Sequence, residues 1–592
     1  MSVTIYPRIA SVRPAVSVTV NTDALEANTS DSNRKLMLVG MADGGVPGTV
    51  YKIDNFSQAR QIFRGGDVLD AIELALTPNS DISTGEILAE RVGTATPASF
   101  SNNGITFTSN LYSKDANNIQ VSLQDNSLNN TKTAQVSFAD DQYNIYYSNL
   151  GNIFTLSYTG SGYASVEITT DGTTGFATHL ILKQGNDSSS AVVVKDFLLG
   201  SGLYANVNQM INDINQIQNF SADYYIAGAK NIETKYLDAM PETQIKSLST
   251  NVGTTQGNNS ITSSTTDAGA IIIKSVGGDL VNTLSNDQVV NVEYDPSKGE
   301  PNSFNLTNLS GGTSSDIAPA SWSEYFQNFA TEDGYYLVPL TEDPAVQAEG
   351  EAFIEDCTAN GRPMSMFVGG GINEPVQQSI SRATALQTTA VKIVVNASSG
   401  TRLMSDGTTR ALPGYMMAAL IAGLASGIPA GESILYKEID MNSIDQAFTK
   451  DQLDTLDLNG VIAVEVARNN QGKYYRVSDD VTTAVTAGSK DPAAMYLSVG
   501  VASDFLVNDL KDALEVYIGK RTGLSTAKDI KTTIISFLTA KQSIGEVVDF
   551  SEGDIQVTVM GSDAYVSISL VPVQSIRKIQ VSLVYHNESI TA

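Results

Sequence analysis

The feature of this sequence that most constrains its fold is a long internal stretch without arginine. After Arg91 the next arginine is Arg362, and residues 98–240 also lack proline, whereas serine, threonine, asparagine and glycine are abundant there. Runs such as Phe154–Tyr158 alternate apolar and polar residues and are separated by turns rich in Asn, Asp and Gly. This period of two is typical of short antiparallel strands with one solvent-exposed face.

We therefore expect two β insertions within this stretch. The first, at 96–195, is predicted to be an inserted β domain in the form of a small barrel or sandwich. A return to the surrounding framework is expected at 196–244, where 207–215 has a helical pattern, and the second β insertion covers 245–310. No repeat of about 20–50 residues is visible, so a solenoid is not supported.

The sequence on either side of the insertions has a different pattern. At 21–95 and again at 311–503, apolar runs of the buried-strand kind alternate with amphipathic helical segments. The predicted strands are 35–40, 85–92, 335–340, 365–368 and 391–395, and the predicted helices are one beginning at 57 and those at 344–359, 374–387 and 415–425. This alternation predicts a mostly parallel sheet covered by helices. The expected fold class is multidomain α+β or α/β, an α/β framework with inserted antiparallel β domains.

The part of the chain from 504 to 575 predicts a helix-helix-hairpin unit. Apolar residues fall on one face of a helix at 505–519, and a second amphipathic helix follows at 526–541. Two alternating segments, 555–559 and 564–570, are separated by a Gly-containing turn and predict a β-hairpin on the two helices.

Both ends of the chain have the pattern of strands. The first residues, Met1–Arg8, are apolar at alternate positions, and so is Ile579–Leu583 near the last residue. Neither segment has an obvious partner strand beside it in the sequence. We interpret 1–20 and 576–592 as N- and C-terminal strand arms that pair with sheets of other copies of the chain, since strand exchange between subunits can build a polymer.

The sequence offers little material for catalysis. Its two histidines, His179 and His586, are too few for a histidine metal site or a catalytic triad, and the single cysteine, Cys357, is predicted to be a buried hydrophobic residue. Gly369–Gly371 lacks dinucleotide-binding spacing and is interpreted as a strand-to-helix loop. Ser575–Lys578 is one of three Ser-x-x-Lys matches, and none has the Lys-Thr-Gly partner of penicillin-binding enzymes. We expect no enzyme activity, cofactor or metal.

Charge and hydropathy exclude further classes of protein. The net charge of −28 argues against nucleic acid as a direct partner, because phosphate binding needs clustered Lys and Arg. No stretch approaches the roughly 20 apolar residues that cross a bilayer, and the first residues lack the features of a secretory signal. We therefore expect no membrane insertion and folding in a cytosol.

Several segments together resemble the tail sheath proteins of contractile-tailed bacteriophages, in particular the large sheaths of phages that infect Gram-positive hosts. They span most of the chain, and where sheaths often have Val-Arg-Val this chain has Glu90–Val92. The segments are Phe56–Ile72 with Ala89–Gly93, Lys114–Val121, Leu309–Asp316 before Trp322, Asn459–Val464 with Tyr475–Ser478, and the C-terminal part 504–592.

The resemblance implies a structural protein that polymerises helically around an inner tail tube and contracts to drive the tube through the host envelope for genome ejection. It implies that the arms add strands to neighbouring subunits and that 504–575 faces the tube, with the inserted β domains outside. The implied partners are other copies of the chain, the tail tube protein, and the baseplate and tail terminator proteins. The implied location is the virion, after synthesis and assembly in the host cytoplasm.

The resemblance also assigns roles to individual residues. It places strand-exchange contacts at Val3 and Ile5 in the first arm and at Ile579, Val581 and Leu583 in the second. It places the tube-facing surface on the polar side of the first C-terminal helix. The residues of that surface are Asp509, Lys511, Asp512 and Glu515.

Three alternatives remain open at this stage. The sheath of a bacteriocin or of a secretion-type injection system would share the framework, but such subunits usually lack insertions of this size. A carbohydrate-binding tail adhesin would also use β domains rich in Ser, Thr and Asn, and it would form compact trimers instead of tubes. A glycan-degrading enzyme needs two carboxylates across a cleft, and no pair in the sequence stands out for that role.

Overall fold

The computed structural model of the chain describes residues 34–246, 269–315, 321–470, 472–519, 526–560, 563–573 and 577. The chain divides into two compact units. The insertion unit consists of Asp43–Val46 and Thr94–Ser315, and the framework unit consists of the other described residues, among them Pro47–Gly93. Helices and many antiparallel sheets occur together, so the predicted mixed α/β multidomain class is confirmed.

The bounds of the helices and strands are as follows. In chain order, the helices are α1 (Phe56–Phe63), α2 (Asp67–Leu76), α3 (Val207–Ile214), α4 (Val276–Leu284), α5 (Trp322–Asn328), α6 (Pro344–Ala359), α7 (Val376–Ala385), α8 (Gly414–Gly427), α9 (Lys450–Leu458), α10 (Pro492–Met495), α11 (Leu497–Glu515) and α12 (Thr526–Ser543). The strands are β1 (Lys35–Gly40), β2 (Val50–Ile53), β3 (Ile87–Arg91), β4 (Thr94–Thr96), β5 (Ser99–Asn102), β6 (Ile105–Ser109), β7 (Gln120–Asn126), β8 (Thr131–Phe138), β9 (Tyr143–Leu150), β10 (Asn152–Tyr158), β11 (Tyr163–Thr170), β12 (Ala177–Gly185), β13 (Val192–Leu198), β14 (Phe220–Tyr224), β15 (Met240–Lys246), β16 (Gly269–Lys274), β17 (Val290–Tyr294), β18 (Phe304–Asn308), β19 (Thr313–Ser315), β20 (Gly334–Pro339), β21 (Ser365–Gly369), β22 (Lys392–Asn396), β23 (Gly400–Leu403), β24 (Thr409–Leu412), β25 (Glu438–Ile439), β26 (Ser443–Ile444), β27 (Val461–Ile462), β28 (Val464–Asn469), β29 (Gly472–Val477), β30 (Val547–Phe550), β31 (Gln556–Met560), β32 (Asp563–Ser567) and β33 (Leu570–Pro572).

The framework unit is built on a seven-stranded sheet with the order β2-β3-β1-β20-β21-β22-β27. All its pairs are parallel except β2 with β3. Helices cover both faces, so the strands are buried on both sides and consist of continuous apolar runs. In β1, Leu36 and Leu38 pack against α2 and α8, whereas Met37 and Val39 belong to the core formed with α5, α6 and α7.

The insertion unit consists of antiparallel sheets around two separate cores. One core contains α3 together with β10, β11 and β12, and the other contains α4 together with β6, β7 and β8. The sheet orders are β14-β10-β16, β13-β12-β11-β15, β17-β6-β5, β18-β7-β8-β9 and β19-β4.

The predicted subdivision of this unit into 96–195, 196–244 and 245–310 is wrong. Strands β14 and β15, at Phe220–Tyr224 and Met240–Lys246, pair with β10 and β11 of the first segment. Strands β16, β17 and β18 of the last segment pair with β10, β6 and β7. Residues 196–244 are therefore no return to the framework, because the strands of the three segments satisfy one another's main-chain hydrogen bonds.

The first C-terminal helix begins earlier than predicted. Helix α11 starts at Leu497, and its first turns are buried in the framework core through Leu497 and Val501. Its later turns pack against α12, so one continuous helix joins the framework to the C-terminal unit. The predicted hairpin is present as β31 paired with β32, and the structure also has a second pair that the sequence did not indicate, β30 with β33.

Candidate assembly surface of the C-terminal unit

The C-terminal unit has a small core and two small sheets. Ile530, Ile534 and Leu538 of α12 form the centre of the core, and Leu510 and Leu514 of α11 pack on them. Each of the two sheets contains two described strands. Two-stranded sheets of this kind are marginal alone and gain stability when a further strand or a packed helix completes them.

Apolar side chains are exposed on both small sheets. Val548 of β30, Val571 of β33, and Met560 and Tyr565 of β31 and β32 each keep more than half of their surface exposed. An open strand edge with exposed apolar side chains is a template for pairing with another chain. The alternating sequence of the hairpin indicated strands, and Val557 on one of its faces packs on the core of the unit, but the sequence did not indicate that Met560 and Tyr565 would be exposed.

The four residues predicted to face a tube lie on α11, and they divide into two groups. The Asp509 carboxylate is bound within the unit, since the Lys541 ammonium lies 2.6 Å from it and 2.6 Å from Glu546. Burial lowers the pKa of Lys541, and the two carboxylates outweigh this effect and raise it. Lys511, Asp512 and Glu515 are exposed.

Three of these residues also line a groove. Asp509, Lys511 and Asp512, together with Phe505 and Asn508, face the framework segments 333–335 and 361–363 across a cavity of about 350 Å³. Glu515 lies outside this groove. The polar side of α11 is thus partly directed toward its own framework, and its exposed part consists of Lys511, Asp512 and Glu515.

The residues assigned to strand exchange lie outside the described part of the chain. Val3 and Ile5 precede residue 34, and Ile579, Val581 and Leu583 follow residue 577. Their pairing stays a prediction.

The cysteine and the described histidine occupy positions that are ordinary for a folded protein. Cys357 is buried, as predicted, and burial raises the pKa of its thiol. His179 is a surface residue whose Nδ1 lies 2.8 Å from an Asp196 carboxylate oxygen. Among the described residues there is no group of three or more His, Cys, Asp or Glu side chains arranged to hold a metal ion.

The glycine-rich turn after β21 packs closely against the start of α8. A Cβ atom on Gly369 would lie 2.2 Å from the backbone of Gly414, the first residue of α8. The backbone N–H groups of Gly414 and Tyr415 donate to the carbonyl oxygens of Gly371 and Gly370. Because these amides at the start of α8 bind the turn itself, the segment is a strand-to-helix loop, as predicted.

The described residues contain no helix that is long and apolar enough to cross a membrane.

Comparison with known proteins gives full-length matches. The chain is 40% identical to a protein of Enterococcus phage phiEF24C named "Putative tail sheath protein", with 100% of both chains covered. It is 35% identical to the tail sheath protein of Staphylococcus phage Twort over 100% of both chains, and 26% identical to that of Bacillus phage SP01 over 96% of this chain and 95% of the other. No family model matches.

Two solved structures share the fold. The sheath tail protein of Desulfitobacterium hafniense is 14% identical, with a TM-score of 0.53, and covers 96% of this chain and 98% of its own. The sheath tail protein from Listeria innocua is 12% identical, with a TM-score of 0.55, and covers 93% of this chain and 96% of its own.

Proposed function

Because this chain belongs to the family of bacteriophage tail sheath proteins, we propose that it polymerises helically around an inner tail tube and contracts to drive the tube through the host envelope. The observation that carries this proposal is the full-length similarity to tail sheath proteins, which leaves no part of the chain unmatched.

Polymerisation uses the two small sheets of the C-terminal unit in this proposal. The arms 1–20 and 576–592 of neighbouring subunits add strands beside the pairs β30-β33 and β31-β32, with Val3 and Ile5 in one arm and Ile579, Val581 and Leu583 in the other. Each main-chain hydrogen bond of an added strand contributes about 1 kcal/mol net. Burial of exposed side chains such as Tyr565 and Val571 adds to this.

The remaining contacts follow from the exposed side of α11. Lys511, Asp512 and Glu515 are exposed and charged, so they suit polar contacts with a tube that can break and re-form during contraction. The insertion unit faces away from the tube in this proposal. Baseplate and tail terminator proteins contact the two ends of the polymer, and assembly takes place in the host cytoplasm before the sheath becomes part of the virion.

Electron microscopy of the purified chain tests the proposal. The full chain is expected to form long hollow cylinders, whereas a chain without residues 1–20 or 575–592 is expected to fold and stay unassembled. Normal cylinders from either shortened chain would contradict the role of the arms. Compact trimers of the full chain that bind glycans would favour an adhesin instead.

A charge reversal tests the tube-facing assignment. Lys511→Glu is expected to reduce sheath formation on added tail tubes, and Lys450→Glu serves as the control because Lys450 is exposed on α9 of the framework. Equal sheath formation by the two variants would exclude Lys511 from the tube contact.

A further inference from the structure

A guanidinium-binding site lies on the framework unit, and the chain itself occupies it. Arg577 is the described residue nearest the C-terminus, and its Nη1 lies 2.5 Å from Asp480 Oδ1. Its Nη2 donates to Asp479 Oδ1. The ring of Tyr496 lies on the guanidinium at 4.1 Å from Cζ to the ring centroid, so the cation is held by two carboxylates and one aromatic face.

The two carboxylates are held in place by the framework independently of Arg577. Asp480 Oδ2 accepts hydrogen bonds from the hydroxyls of Ser433 at 2.7 Å and Ser498 at 2.6 Å. Asp479 Oδ1 accepts the backbone N–H of Asp480 at 2.7 Å. Asp480 is 1% exposed, so one of its oxygens is already satisfied inside the protein and the other is directed to the arginine.

The carboxylates of this site require the arginine as their counter-ion. Asp479 and Asp480 are adjacent in the sequence and both buried, and Asp457 of α9 is close enough to interact with Asp479. The pKa of Asp457 is raised to about 7, because burial and then the charge of Asp479 raise it more than the charge of Arg577 lowers it. Withdrawal of Arg577 would leave this group of acids without their cation, which is costly in a buried site.

We propose that Arg577 anchors the C-terminal segment to the framework of its own subunit, so that only residues 578–592 form the exchangeable arm. The role of residues 578–592 as an exchangeable arm rests on the proposed function, whereas the anchor itself rests on the contacts of Arg577 alone. Residues 578–592 reach at most about 50 Å when fully extended. The anchor therefore limits which neighbours the arm contacts.

The position of the anchor has a mechanical consequence. Strand β33 lies just before it and pairs with β30 over a short ladder, in which Pro572 has no N–H to donate. A pull on the arm without the anchor would act directly on this short strand and detach it. With Arg577 bound, the load passes into Asp479 and Asp480 of the framework before it reaches β33.

Proteolysis of the unassembled subunit tests the anchor directly. Endoproteinase Lys-C cleaves after lysine, and Lys578 is the next residue after Arg577 and the last lysine of the chain. We expect Arg577→Gln to accelerate release of residues 579–592 by at least about tenfold, because cleavage needs local release of the segment. Arg468→Gln, at an exposed arginine on β28, is the matched control and should cleave at the wild-type rate.

Two additional measurements make the result decisive. Synthetic peptides of 570–585 with Arg or Gln at position 577 correct for the intrinsic preference of the protease, and Trp322 fluorescence checks that the framework is folded. A second variant, Asp479→Asn, keeps Arg577 and should also accelerate cleavage. Equal corrected rates for Arg577→Gln, Asp479→Asn and Arg468→Gln would overturn the anchor.

The anchor and the proposed function fail in different ways. If the wild-type chain forms no cylinders, the proposed function fails, and the Lys-C rates of the subunit still decide the anchor. If cylinders form, those of Arg577→Gln are expected to break into shorter pieces under shear than those of Arg468→Gln. Equal lengths after shear would exclude a load-bearing role for Arg577.

Discussion

Glu90 is a carboxylic acid in an inner strand of the framework sheet, and its burial makes a sharp prediction. It is 0% exposed and lies on β3, which is between β2 and β1 in the framework sheet. Its Oε1 accepts a hydrogen bond of 2.6 Å from Asn328 Nδ2, whereas its Oε2 is buried without a hydrogen-bond partner. Burial raises the pKa of Glu90 to about 8, and the bond from Asn328 opposes this only in part.

The sign of the pH dependence follows from this pKa. The pKa of a glutamate in the unfolded chain is 4.5. Below that pH the folded and the unfolded chain both carry the proton on Glu90, and the free energy of unfolding has its full value with respect to this group. Between 4.5 and about 8 the unfolded chain loses the proton while the folded chain keeps it. Stability therefore falls as the pH rises, by about 1.4 kcal/mol per pH unit and by as much as about 5 kcal/mol in all.

Glu90→Gln removes the titration and keeps an oxygen that can accept from Asn328. The free energy of unfolding of this variant, relative to wild type, should increase by about 3 kcal/mol between pH 5 and pH 7.5. A constant offset from the new amide group does not affect this difference. Urea unfolding followed by the fluorescence of Trp322 is suited to the measurement, because Trp322 is the single tryptophan and lies on α5 with Asn328.

The control is Glu515→Gln, an exposed position on α11 whose side chain is in water in both states. Its unfolding free energy should follow that of wild type at both pH values. If Glu90→Gln also shows no change relative to wild type between pH 5 and pH 7.5, Glu90 is ionised in the folded protein and the reasoning from burial is refuted.

Two further predictions concern the packing of the framework. Gly423→Ala should destabilise the protein by about 1–3 kcal/mol, because a Cβ there would lie 2.5 Å from the backbone of α2, whereas Gly85→Ala, which meets nothing within 4 Å, should be neutral in the same thermal unfolding experiment. Arg382→Met should lower the free energy of unfolding by about 3–5 kcal/mol, because it leaves the buried Glu374 without its cation. The double variant with Glu374→Gln should recover part of this loss in urea unfolding. A double variant less stable than the single one would contradict the pairing.

The framework could be predicted because its signal is local. Leu36–Val39 is apolar at every position, and the structure shows why, since successive side chains enter the two cores on opposite faces of the sheet. Helices between such strands leave the parallel arrangement as the simplest solution. The helical pattern at 344–359 agrees with α6, whose bounds are Pro344–Ala359.

The insertion unit could not be divided correctly because its pairings are not local. Strand β17 pairs with β6, so Val292 lies opposite Phe107 although the two are far apart in the sequence. Composition is similar throughout this stretch and gives no boundary. Antiparallel strands with one wet face look alike wherever they occur, and only the tertiary fold selects their partners.

The anchor at Arg577 could not be predicted from the sequence, because its contacts are also not local. In the sequence it appeared only as a residue within the match Ser575–Lys578, and its partners Asp479 and Asp480 are 98 and 97 positions earlier. The burial of these two acids is not visible in a short polar segment of sequence. A pair of buried acids and a distant arginine become a site only when the fold brings them together.

The continuity of α11 determines where a sheath subunit of this kind can bend. Its first turns are buried in the framework core, and its last turns pack on α12, so the helix fixes the C-terminal unit to the framework at both ends. Lys392 and the hydroxyl of Tyr335 bind Asp504 near the middle of the helix, at 2.5 and 2.6 Å, which further opposes bending there. If the arms hold neighbours together while subunits rotate, the change in geometry must therefore be taken up by the arms. An anchor at Arg577 would hold the end of the C-terminal unit on the framework while the arm changes its position.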